Sequence, residues 1–106
     1  MTAIGVLVFM GMAYGFSITT GAITVGSTAQ YISTISADAF KGVFTVEAGS
    51  VRVRWDGTAP EAQYGHVLNS GDVLTLYDRA DIAKFKVILN SGSSGATVTY
   101  TLQAKD

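Results

Sequence analysis

Apolar and polar positions alternate with period two in several short stretches of this chain, and no apolar stripe of period 3.6 accompanies them. Residues 51–57 (VRVRWDG) set the pattern: in a pleated strand Val51, Val53 and Trp55 fall on one face and Arg52 and Arg54 on the other. This predicts a half-buried strand with Trp55 in the core beside Val51 and Val53. Asp56-Gly57 is a turn dipeptide, and Pro60 pushes Ala59 toward extended geometry, so the strand ends there.

Residues 42–48 alternate in the same way, with Phe44 and Val46 opposite Val43, Thr45 and Glu47, and Gly49-Ser50 predicts a hairpin into the next strand. Residues 28–35 fit a further strand and residues 36–38 a loop. Residues 61–68 favour no single element. Asn69-Ser70-Gly71-Asp72 is a turn signal, after which Leu74 and Leu76 share one side of a short strand. Residues 78–83 fit a helical turn or a loop anchored by Ile82. In residues 84–89, Phe85, Val87 and Leu89 face inward and Lys84 and Lys86 outward. A Gly- and Ser-rich connection follows. Residues 97–102 then set Val98, Tyr100 and Leu102 against Thr97, Thr99 and Thr101, and residues 103–106 read as a tail. About seven to nine short strands at this turn spacing predict an all-β fold, an antiparallel β-sandwich for which a jelly roll is one available topology.

The charge pattern divides the chain in two. Asp38 is the first charged residue, so residues 1–37 form an uncharged, hydrophobic strand or arm and residues 38–106 the sandwich body. The uncharged part belongs to the same domain or to a subunit interface. A secretory signal requires a cationic segment before its apolar core, and none precedes residues 3–16. A membrane helix requires about 20 apolar residues, whereas this run is shorter and is interrupted by Gly5, Gly11 and Gly15. A strand covered on both faces fits better. The candidates for intermolecular burial are Ile4, Val6, Val8, Phe9, Met10, Met12, Tyr14 and Phe16. The simpler alternative is a turn at Gly11 or Gly15 joining two ordinary core strands.

Composition narrows the partners. Only 14% of the 106 residues are charged and the net charge is −1, so no cationic footprint for a phosphate backbone exists and direct nucleic-acid binding is not expected. Cysteine is absent, which removes disulfides and thiolate metal sites. His66 is the single histidine and is expected to be structural, since neither a nucleophile nor further metal ligands accompany it. Asp78 and Asp81 read as capping or salt-bridging residues, with a weak calcium site as the minor alternative, and Asp56 with Glu61 lacks the apolar cleft that glycosidase carboxylates need. No catalytic residue, cofactor or metal is expected. Arg52, Arg54, Lys84 and Lys86 fit a cationic stripe, either ion-paired across strands with Glu47 or facing an acidic partner. Tyr31, Tyr64 and Tyr77 are aromatics that rim packing or sugar stacking would use.

Three segments bear a resemblance: residues 51–60 (VRVRWDGTAP), Gly65-His66-Val67-Leu68 with Gly71-Asp72, and Ile82 with Phe85 and Lys86. Together they resemble a group of small β-rich proteins encoded among tailed-bacteriophage virion genes. The match runs from Phe44 to Leu102 and leaves residues 1–37 outside. The resemblance implies a non-enzymatic capsid decoration or cement protein on the outer surface of the virion. Its partner would be the major capsid protein, and it would form a homo-oligomer, dimer or trimer. The alternatives are a carbohydrate-binding or tail- or fibre-associated module, and a membrane-anchored or filament-forming subunit using residues 3–25.

Overall fold

The computed structural model describes residues 16–104. In chain order the elements are β1 (Phe16–Val25), β2 (Ala39–Ala48), β3 (Ser50–Arg54), β4 (His66–Asn69), β5 (Val73–Leu76), α1 (Arg79–Lys84), β6 (Lys86–Leu89) and β7 (Ala96–Ala104). The strands form two antiparallel sheets, a larger one in the order β1-β7-β2-β5 and a smaller one in the order β4-β3-β6. The fold is all-β and sandwich-like.

Consecutive strands are shared between the sheets. β2 and β3, β4 and β5, and β6 and β7 each form an arch with one strand in either sheet, and the arches lie side by side because β7-β2-β5 in one sheet matches β6-β3-β4 in the other. A fourth arch is incomplete. After β1 the chain crosses over at Gly26, and residues 26–30 run along the edge of β6: Gln30 exchanges two backbone hydrogen bonds with Val87, at 2.7 and 2.9 Å, and Leu89 N–H donates to the Gly26 carbonyl. The result is the nested-arch pattern of a jelly roll, with an irregular segment at the position of an eighth strand.

This pairing corrects the expected hairpin between residues 42–48 and 51–55. Gly49 turns the chain from one sheet to the other. Its φ is +80°, and a Cβ built there would lie 2.1 Å from the Gly95 carbonyl oxygen, so the β2-β3 corner packs directly on the start of β7. The strand expected over residues 28–35 reduces to the single bridge at Gln30. Residues 103 and 104, expected in a tail, are the last of β7, where Ala104 pairs with both Phe16 and Ala39 and is buried. Residues 84–89 do not form one strand either, because Lys84 closes α1 and β6 starts at Lys86.

The core follows from the alternation. Phe44 and Val46 from β2, Val51 and Val53 from β3, Val87 from β6, and Val98 and Leu102 from β7 are buried between the sheets. Removing each from water contributes about 1.5–3 kcal/mol as an upper estimate. Asp78 caps α1 by accepting from the Ala80 N–H at 3.1 Å, and the helix directs Ile82 into the same core. Trp55 departs from expectation. It lies just beyond β3, packs against the core from the rim and is only partly buried, because the paired part of the strand ends at Arg54.

Candidate interaction surface

Parts of all three segments that bear the resemblance lie in the smaller sheet, while Ile82 sits on α1 against β2 and β5 of the larger sheet and Gly71-Asp72 turn the chain into β5. Residues 51–60 supply β3 and the loop after it, His66 and its neighbours supply β4, and Phe85-Lys86 leads into β6. The register places Arg52 between Val67 and Ile88, and Arg54 beside Lys86. Since Val51 and Val53 point into the core, period-two alternation sends Arg52, Arg54, Lys86, Val67 and Ile88 to the outer face.

Each arginine is held in place. Arg52 donates from Nε to Asn90 Oδ1 at 2.9 Å and from Nη1 to the Gly65 carbonyl at 3.0 Å. Gly65 has φ +138°, and a Cβ there would come within 3.2 Å of the Val53 carbonyl oxygen, so the close approach of the β3-β4 loop to Arg52 depends on glycine. Arg54 makes a two-pronged ion pair with Asp56, donating from Nε to Oδ1 at 3.1 Å and from Nη2 to Oδ2, while its guanidinium sits 4.9 Å from the centre of the Tyr64 ring. The hydrogen bonds from Arg54, with a further one from the Thr58 N–H, hold the Asp56 carboxyl down at about 2, and the same pair raises the Arg54 guanidinium. Lys86 has no acidic partner among the described residues.

At the same end of the hairpin the Trp55 and His66 rings stack, 5.0 Å between centres and 26° from parallel. Tyr64 is 61% and Val67 41% exposed. The surface therefore combines fixed guanidinium groups, one unpaired ammonium and exposed apolar area. It suits a partner that presents carboxylates around an apolar patch.

The larger sheet presents a different outer face. Thr20, Thr24, Thr45, Thr97, Thr99 and Thr101 alternate there with core residues, and their register partners leave it uncharged over most of its length.

The expected site residues are partly brought together. Arg52, Arg54 and Lys86 share a face, while Lys84 lies on α1 and does not join them. Glu47 is exposed and makes no ion pair among the described residues; Asp56 takes the role expected of it, because a turn two residues away reaches Arg54 without crossing strands. Asp78 is the N-cap of α1 and Asp81 lies in its first turn, and no three metal-ligating side chains gather among the described residues. Tyr31, Tyr64 and Tyr77 are all exposed, Tyr77 beneath Lys41 with Nζ 5.7 Å from the ring centre. Of the candidates for intermolecular burial, Ile4, Val6, Val8, Phe9, Met10, Met12 and Tyr14 lie outside the described residues, and Phe16 opens β1 opposite Ala104. The place of Val67 and Ile88 on this surface is set by cross-strand adjacency to Arg52, which the sequence does not reveal without knowing that β4 and β6 flank β3.

Comparison with protein families, curated proteins and solved structures returns no match. The class defined here is thus the fold itself, an antiparallel β-sandwich of nested arches.

Proposed function

We propose that the chain is a non-enzymatic structural subunit of a tailed-bacteriophage virion, a decoration or cement protein bound to the capsid exterior across joints between major capsid subunits. The observation that supports this reading is that parts of all three resemblance segments meet in one sheet, as β3, β4 and the start of β6, and that the outer face of this sheet has the chemistry of a docking surface. A shell under internal pressure fails where its subunits separate. A ligand spanning two subunits opposes that separation by its binding free energy, and many copies multiply the effect. Rigid arginines suit the task, since Asn90, Gly65 and Asp56 fix their positions before binding and reduce the entropy lost on docking. Self-association into a dimer or trimer would let one particle-bound unit grip several capsid subunits.

The test is heat release of the packaged genome from virions with and without the protein. Release at lower temperature from depleted virions supports the proposal, and equal release contradicts it.

A second reading, a glycan-binding module, is favoured by the exposed Tyr64 ring beside the Arg54-Asp56 pair, an aromatic plate with hydrogen-bonding groups at its rim. Titration with neutral oligosaccharides, followed by Trp55 fluorescence, separates it from the first.

A further inference from the structure

β1 is an edge strand whose sequence invites another strand. Among the described residues it pairs on one side only, with β7, and its ten residues contain no charge and no proline. Natural sheet edges of this length are ordinarily protected by lysine, proline or a covering segment. The one irregularity is a register step between Ser17 and Thr19.

A groove of about 420 Å³ runs beside this edge. Thr19, Ala22 and Thr24 form one wall, Ser33 and Thr34 the other, and Tyr100 contributes to the floor. The far wall is anchored, because Arg79 donates to the Ser36 and Ile35 carbonyls, each at 3.0 Å, and Gln30 is bonded to Val87. The floor depends on Gly21, its register partner: a Cβ there would lie 2.6 Å from the Tyr100 hydroxyl, so the ring rests across bare backbone. None of the ten lining residues is Asp, Glu, Lys, Arg or His. A charged peptide entering this groove would lose hydration and find no counter-charge, whereas an uncharged one would lose little and could hydrogen-bond to β1.

We infer that this groove binds residues 3–14 of a second copy of the chain as an added strand on β1. The inference rests on the reading of the protein as a homo-oligomer and names the surface that makes it one. Two facts select this occupant. Residues 3–14 are uncharged and apolar throughout, matching a groove without charge, and they adjoin the first residue of β1, so a segment donated to a neighbour leaves the donor's own β1 edge positioned to receive one in return. Reciprocal exchange closes a two-fold dimer.

The experiment uses the full chain. Backbone hydrogen exchange across residues 19–24 is measured over a dilution series, with sedimentation reporting the oligomer. In the wild type, protection of these amides should fall on dilution together with the dimer. Thr24→Lys and, on the opposite wall, Thr34→Lys each place an ammonium in the groove at an exposed position and should weaken dimerisation by at least about tenfold while leaving the melting temperature near that of wild type. Protection that does not change with concentration would overturn the inference, as would lysine variants that dimerise like the wild type. A chain that dimerises through the groove but is absent from virions would contradict the proposed function and leave this inference standing.

Discussion

Phe44 and Phe85 stack across the interior with ring centres 4.1 Å apart and planes 21° from parallel. Phe44 belongs to the larger sheet, and Phe85 closes α1 immediately before β6 of the smaller one, so this contact joins both sheets and the helix. Both rings are almost fully buried. Phe44→Ala and Phe85→Ala should each cost about 3–5 kcal/mol in denaturant unfolding. The double mutant should lose less than the sum by about 0.5–1.5 kcal/mol, the part that belongs to the ring pair. Strict additivity would mean the rings are buried side by side without interacting.

Gly49 and Gly26 make a controlled pair at two of the sheet-crossing corners. Gly49→Ala forces a side chain into positive φ and against the Gly95 carbonyl, so it should destabilise by at least about 1–3 kcal/mol. A Cβ at Gly26 meets nothing within 4 Å, so Gly26→Ala should be neutral or stabilise by up to about 1 kcal/mol. Thermal melts of the two variants decide the matter; equal losses would remove the special role of the β2-β3 corner.

The Arg54-Asp56 pair predicts a pH signature. The Asp56 carboxyl is depressed in the folded state, so whatever the pair adds to stability is present above the ordinary carboxylate range near 4 and disappears as pH falls toward 2. Carboxyl NMR titration should place Asp56 near 2 in the wild type, and Arg54→Gln should return it toward 4. An unchanged midpoint in the variant would assign the depression to the Thr58 N–H alone.

Trp55 is the single tryptophan and lies at the rim under His66, so its fluorescence reports the β3-β4 end directly. Trp55→Ala should cost about 1–3 kcal/mol, less than a fully buried tryptophan would. His66→Ala should shift the emission of Trp55 to longer wavelength by opening the ring to water. Emission that stays put would mean that the stack does not shield the indole.

The parts of the fold legible in the sequence are those where one sheet face is buried and the other is not. Phe44 and Val46, Val51 and Val53, and Val98 and Leu102 announce their faces by alternation, because β2, β3 and β7 each turn one side to the core. Residues 26–35 are only partly legible: the strand expected over 28–35 is reduced to the bridge at Gln30, because residues 26–30 hold the edge of β6 through backbone groups, which leave no trace in side-chain pattern. Gly49-Ser50 reads as a turn whether it joins two strands of one sheet or crosses between sheets. What decides is its contact with Gly95 and Ala96, far along the chain. At the candidate surface, the alternation of Arg52 and Arg54 was visible, but their anchors were not, since Asn90, Gly65 and Tyr64 reach them only through the folded loops.

The central claim, that this sandwich decorates a phage capsid through its smaller sheet, is tested most directly by reconstructing intact virions by cryo-electron microscopy at a resolution that orients each copy. The account predicts many copies on the capsid exterior at joints between major capsid subunits, with Arg52, Arg54 and Lys86 facing carboxylates of the shell. A few copies confined to the tail, or copies on the capsid with that sheet turned to solvent, would contradict it.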